Sequence, residues 1–426
     1  MTDTQSNDDQ GKFEEEASLL LQASSWTTKD YQLTVLFVLI SFGDGVEIYL
    51  PGVITQVVSC ELGVSSLKEG LLGIILYATI AATVLIARLL VSCCGNRKLI
   101  ISSLYISIIS SVVCAVVPGY NTLLVARAMI GVSVGLNACV IGVFFAENVS
   151  TPKAFAIGTS VSSVTVPLGA GWGSILCYSM MGALGWRVFV VAVSVPLFIP
   201  PLILLHFFLD YPMDSSTNVR RETQSTDAVE VPHAWNRNLK TCVMNFFCCI
   251  QGYGGILLLP ALLRADNEEG NYLSGENCSS AVQGAQFLIL AAVHGGTNLV
   301  GRLAGALLHG RIRFRILQPI IALAITLCYG LLLLSPGIVA TSVLMGVSKM
   351  LYSMSIVEIV LMVFDPVYNG SSNLETFAAC NYVAAFTGGI VGTALAVFVT
   401  PYNAVICIFV LSWGYVGAAC SITDRD

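Results

Sequence analysis

The sequence predicts an all-α polytopic membrane protein of twelve transmembrane helices in two six-helix halves, on three observations. Hydrophobic residues make up 55% of the 426 positions and charged residues only 11%, a balance far from that of soluble domains. The apolar residues gather into twelve segments, each near the roughly 20 residues that a bilayer-spanning helix needs. A polar, Ser/Thr-rich stretch at 210–238 divides the twelve into two sets of six. Mean hydropathy is +0.80. The net charge of −6 sits in tails, loops and a few membrane sites and so says nothing about nucleic acid; the apolar composition makes the lipid bilayer the expected partner, and no nucleic acid is expected.

The amino-terminal residues 1–30 are acidic and lack the basic flank and short apolar core of a signal peptide, so a cytosolic tail is expected. Within it, Glu15 with Leu19 and Leu20 resembles the acidic dileucine signal read by sorting adaptors. The first span, 31–53, carries Asp44 and Glu47 in its second half. Two ionisable groups in hydrocarbon cost roughly 5–7 kcal/mol unless protonated or paired. Their i, i+3 spacing places both on one helix face, where they can share a proton or a cation. The remaining spans of the first block (31–209) are 67–91, 99–118, 121–146, 156–179 and 188–209. After the expected cytosolic linker 210–238, the second block (239–421) holds 239–262, 283–308, 317–334, 338–363, 375–399 and 404–421, with 422–426 as a cytosolic tail.

Loop charges orient the chain. With the amino end inside, the cytosolic connections hold Arg97 and Lys98, Lys153, Arg220, Arg221, Arg237 and Lys240, then Arg311, Arg313 and Arg315. The lumenal loop 263–282 carries Asp266, Glu268, Glu269 and Glu276 against Arg264 alone. This asymmetry follows the positive-inside rule. It also places the sequon Asn277-Cys278-Ser279 in the lumen, where Asn277 is a glycosylation acceptor. Most of the fourteen cysteines lie in apolar spans and read as small packing residues; Cys60 and Cys278 alone fall clearly in lumenal loops, where a bridge is permitted.

The halves weakly repeat. Arg88-Leu89 before Gly95-Asn96-Arg97-Lys98 is echoed by Arg302-Leu303 before Gly310-Arg311, and Arg127 with Glu147 by Lys349 with Asp365. Parallel repeats of this kind build transporters with a solute site near the midplane. There is no P-loop, Cys-x-x-Cys pair or His-Glu-x-x-His, and Gly131-Val132-Ser133-Val134-Gly135, which matches Gly-x-Ser-x-Gly, lies within an apolar span and is not a strand-to-helix elbow. The expectation is therefore no enzyme and no cofactor, with transport run on ion or solute gradients.

These features resemble the major facilitator superfamily. The loop Gly95-Asn96-Arg97-Lys98 matches the end of that family's motif after helix 2, although Ser92 and Cys93 replace its Asp-Arg pair and Arg88 its first Gly. Arg127-x-x-x-Gly131-x-x-x-Gly135 resembles its helix 4 motif, and Pro167-Leu-Gly169-Ala-Gly171 its Gly/Pro-rich helix 5. Asp44-Gly-Val-Glu47, Glu147 with Pro152, Gly185-Trp186-Arg187 and Gln251-Gly-Tyr253-Gly254-Gly255 are similar to the branch of organic ion transporters and synaptic-vesicle-glycoprotein relatives. The resemblance implies alternating access around a cavity bordered by helices 1, 4, 7 and 10.

On that reading Asp44, Glu47 and Arg127 form the coupling site, with Arg127 and Asp44 meeting at similar depth and a proton as coupling ion. Lys349, with Tyr352 and Ile356 on its side of helix 10, either faces the cavity or pairs a carboxylate such as Glu47. His294 is either a proton relay or a partner of Asn298 one turn on. Tyr253, Asn381, Tyr382 and Trp172 line the cavity, where aromatic faces suit a cationic or amphipathic organic solute. Arg97, Lys98, Glu147, Arg311, Glu358 and Asp365 form the cytosolic gate, Glu358 among cytosolic arginines. The predicted function is secondary active transport of a small organic solute, in an endolysosomal, vesicle or plasma membrane. The alternative is a transporter-like vesicle protein that binds a partner with little flux, which Ser92-Cys93 favours; the buried charges favour transport.

Overall fold

A computed structural model describes residues 26–116, 119–208, 234–265, 289, 291–309, 311–334, 337–364 and 374–422. The described residues form twelve helices. The first four are α1 (Thr28–Leu62), α2 (Ser66–Cys94), α3 (Asn96–Val116) and α4 (Tyr120–Asn148). One helical stretch, Pro152–Ile203, makes α5 (152–184) and α6 (186–203), broken only at Gly185 (φ 72°, ψ 161°). Beyond the linker stand α7 (Ala234–Ala265) and α8, a π-helical segment Ala291–Thr297 followed by Asn298–Leu308. The last four are α9 (Phe314–Leu332), α10 (Ile338–Phe364), α11 (Leu374–Phe398) and α12 (Pro401–Cys420). Among the described residues, ten helical segments are long and apolar enough to cross a bilayer. This is a multi-pass membrane protein.

Local chemistry explains the boundaries. Thr27 and Asp30 form a reciprocal cap at the start of α1: Asp30 N–H donates to Thr27 Oγ1 (3.2 Å) and Thr27 N–H to Asp30 Oδ2 (2.9 Å). Thr151 and Thr400 cap α5 and α12, each followed by a proline whose missing N–H costs nothing there. Several expected boundaries shift. The first helix runs past Val53 to Leu62, because 54–60 remain largely apolar and Pro51 is accommodated within it. The expected loop 180–187 is helical up to Gly185, whose left-handed φ turns the chain in one residue. Helix α7 begins at Ala234, inside the stretch read as linker. The carboxyl-terminal end of the linker, Asp365, the sequon at Asn277, Cys278 and the Glu15/Leu19/Leu20 signal stand differently: Ala234–Asn238 is helical, while the others lie outside the described residues.

Packing repeats with an offset of six helices. The pair α1·α5 corresponds to α7·α11, α2·α4 to α8·α10, and α3·α4 to α9·α10. Gly131 and Gly135 of α4 lie against the α2 backbone and Thr79 and Thr83, so a side chain there would force α2 and α4 apart. Between the two sets of helices, α2 packs on α11 and α5 on α8, contacts that the same six-helix offset exchanges. Gly171 of α5 touches Gly295 of α8, backbone against backbone. Outward stripes such as Ile157, Val161, Leu168, Trp172 and Ile175 on α5 face where lipid lies. Trp172 therefore does not line the interior, contrary to expectation; it shares the helical spacing of that outward stripe.

Candidate functional site

Two polar clusters lie inside this apolar bundle, one on each side of α1. The first is within the amino-terminal helices. Glu47 and Arg127 pair at 3.4 Å with 0% and 1% exposure, and Ser111 of α3 donates to the other Glu47 oxygen at 3.2 Å. Contrary to the expectation from depth, Asp44 does not pair with Arg127 among the described residues. It accepts a hydrogen bond from Asn137 Nδ2 of α4 at 3.0 Å, and the Asn137 carbonyl oxygen is bonded by Ser103 of α3. Residues three apart are separated by about 4.5 Å along a helix, so the register of α1 on α4 decides which acid meets the arginine. Ser107 and Ser133 join at 2.6 Å between the two acids' partners in sequence. The result is a buried polar seam along α3 and α4, with a carboxylate–guanidinium pair at one end and an amide-held carboxyl at the other.

Asn137, Ser103, Ser107 and Ser111 escaped the sequence reading. A signal was present: serines recur every three or four positions through an otherwise apolar α3, which places them on one face. Arg127 retains one nitrogen, Nη2, without a hydrogen-bond partner among the described residues. That pair is held in a setting where losing either partner is costly.

The second cluster lies between the two sets of helices. Lys349 of α10, 2% exposed, donates through Nζ to the Gly252 carbonyl of α7. Its ammonium stands 5.6 Å from the Tyr352 ring centre and 5.9 Å from that of Tyr49. It does not reach Glu47, because Tyr49 and Glu47 are two positions apart on α1 and so project about 200° from one another. Tyr49 accepts from Asn298 Nδ2 at 2.9 Å, and its ring lies 5.8 Å from that of His294. Asn298 also donates to the His294 backbone carbonyl at 2.9 Å and accepts from Ser353 of α10. The expected ring-to-amide bond is absent: both imidazole nitrogens of His294, 3% exposed, lack a hydrogen-bond partner among the described residues. The π-helical segment that carries His294 is a kind of helix irregularity frequent at functional sites. One turn beyond Asn298, Arg302 donates to the Ser163 carbonyl of α5 at 2.8 Å.

Aromatic rings form a wall beside these groups. Tyr77 of α2 lies 5.0 Å from Tyr253 of α7, which lies 5.7 Å from Phe386 of α11 and 6.4 Å from Tyr352. Tyr382 stacks on Phe386 at 6.5 Å. Tyr253 and Tyr382 thus join the cluster, together with Tyr49, Tyr77 and Phe386, which the sequence had not singled out. Asn381 does not. Its amide donates to Asn238 at 2.7 Å and to Phe377 at 3.0 Å, and its carbonyl accepts from Asn245, so it ties α11 to α7.

The expected gate residues are scattered. Arg97 donates to the Leu205 carbonyl at 2.7 Å, and Glu147 accepts from Asn96 at 3.2 Å. Lys98 and Arg311 are exposed. Glu358 pairs with His309, at 2.9 Å, and with no arginine among the described residues, since the end of α8 brings that ring against α10. Ser92, in the place of the resembled family's acid, donates to the Leu89 carbonyl of its own helix at 2.7 Å.

The family profile described as Major Facilitator Superfamily matches residues 33–393. The chain is 26% identical over 183 residues to Synaptic vesicle glycoprotein 2B of Rattus norvegicus, covering 39% of this chain and 26% of that protein. Synaptic vesicle glycoprotein 2A of Homo sapiens is 26% identical over 125 residues, 29% of this chain and 17% of that protein. The matched segments thus span about a quarter or less of these curated relatives' length.

Proposed function

The chain belongs to the Major Facilitator Superfamily and is a membrane transporter, and from that premise we propose that it moves a small organic solute by proton-coupled alternating access. The observation that carries the coupling is the buried seam of Asp44, Asn137, Glu47 and Arg127. Asp44 is held by a neutral amide, so it can be charged or protonated without breaking an ion pair. Glu47 is tied to Arg127, so protonating it would break an ion pair. Two acids one turn apart thereby divide the work, Asp44 carrying the proton and the Glu47–Arg127 pair fixing the field around it. The solute site is the aromatic cluster between the helix sets, in keeping with the midplane sites of repeat-built transporters.

The test is solid-supported-membrane electrometry on proteoliposomes, with an imposed pH gradient and a panel of organic cations, anions and zwitterions. Asp44→Asn is expected to abolish the current driven by the proton gradient while leaving solute counterflow in place. An unchanged current in that variant would remove Asp44 from the coupling path.

A second reading is favoured by Ser92 and Cys93, which leave the helix 2 motif without its acid. In it the protein is a transporter-like vesicle component that binds a partner. The similarity to proteins named synaptic vesicle glycoproteins supports a vesicle membrane address for either reading. Folded protein that gives neither current nor isotope flux with any solute would favour the second.

A further inference from the structure

We propose that the transported solute is an organic anion with an apolar, ring-bearing body, and that Lys349 is its counter-charge; this rests on the transporter reading above. The two acids of α1 face α3 and α4, where Glu47 is matched by Arg127 and Asp44 is bonded by Asn137. The cations of the inter-half cluster have no such match. Lys349 is buried with a backbone carbonyl and two aromatic rings for company. Arg302 is buried with a backbone carbonyl, and its Nε has no partner among the described residues. Neither has a carboxylate within ion-pair distance among the described residues.

Donors converge there as well. His294, Asn298 and Arg302 recur at four-residue spacing on α8, and all three are at least nine-tenths buried. Both ring nitrogens of His294 are without a hydrogen bond among the described residues, which leaves a buried polar side chain unsatisfied within 5.8 Å of the Tyr49 ring centre. Unpaired buried cations and an unsatisfied imidazole are the lining an anionic head group completes. The rings of Tyr77, Tyr253, Tyr382 and Phe386 supply the apolar wall for the rest of the solute. An aromatic lining alone would favour a cationic solute. Here Lys349 already occupies the faces of Tyr49 and Tyr352, so a second cation would meet like charge at short range.

The experiment is uptake into proteoliposomes of matched sets sharing one skeleton: 3-phenylpropionate, 3-phenylpropanol and 3-phenylpropylamine, then aliphatic dicarboxylates and diamines, and aryl sulfates and aryl trimethylammonium ions. Wild-type protein is expected to take up anionic members preferentially. Lys349→Gln should lower that uptake about tenfold or more, and Lys349→Arg should retain most of it. Thermal melting of each variant in detergent verifies folding, and anion-induced stabilisation, present in wild type and lost in Lys349→Gln, gives a readout independent of flux. Uptake confined to cationic or neutral members, unchanged in folded Lys349→Gln, overturns the inference and leaves the transporter reading standing. Uptake of none by folded wild-type protein defeats both.

Discussion

The Glu47–Arg127 pair sets the stakes of single substitutions. Removing one member strands the other charge in a dry interior, which costs about 3–5 kcal/mol. Arg127→Met should therefore lower the melting midpoint sharply, and adding Glu47→Gln to it should recover much of the loss. A double-mutant cycle by thermal unfolding in detergent checks this; simple additivity would show that the pair contributes nothing as a pair. Asp44→Asn should be milder, because an asparagine oxygen still accepts from Asn137. At this scale the sequence exposed the charged residues and concealed their partners. Asp44, Glu47, Arg127 and Lys349 stand out because charge in an apolar run is costly. Whether Arg127 meets Asp44 or Glu47 depends on a slide of one helix turn, set by packing contacts remote in sequence. Tyr49 and Tyr77 gave no signal, since a tyrosine in a membrane helix is unremarkable until its neighbours are known.

At the scale of elements, the twelve spans were legible because an uninterrupted apolar run of bilayer length has few alternatives to a helix. Their ends were less so. The α5–α6 join illustrates why: 180–187 lacks the polar residues of an ordinary loop, and a single glycine makes the break. Gly185 adopts φ 72° and ψ 161°, a conformation that side-chain-bearing residues avoid at a cost of about 1–3 kcal/mol. Gly185→Ala is thus expected to destabilise the protein by that amount, read as a lowered melting midpoint with no change in solute selectivity. The turn is backed by Trp186, whose indole N–H donates to Glu61 of α1 at 2.6 Å. A second clasp, at the opposite end of α1, runs from Asp30 to the Ser150 N–H (2.8 Å) and hydroxyl (2.5 Å) between α4 and α5. Neither clasp could be read from spacing, because each joins residues more than a hundred positions apart.

For the molecule as a whole, the half-chain echo in the sequence has its counterpart in helix packing offset by six. The interface contacts α2·α11 and α5·α8 must change if the halves rock. Gly70 of α2 lies against the Val397 side chain of α11. Cysteines at both positions, in a background with the native cysteines replaced, should cross-link and stop transport, with reductant restoring it; full activity of the cross-linked protein would show that these helices do not separate during the cycle. Among the residues named here, α1 alone contributes to both clusters, with Asp44 and Glu47 on one side and Tyr49 on the other. If protonation and solute occupancy are coupled as proposed, their interaction free energy has one shared helix through which to pass. The clasps at Asp30 and Glu61 pin that helix to its own half at both ends. On the proposed proton-coupled reading, a proton would be sensed by the solute as a tilt of one half against the other across the Tyr49–Asn298 contact, and the stiffness of that contact would limit the sensitivity of the exchange.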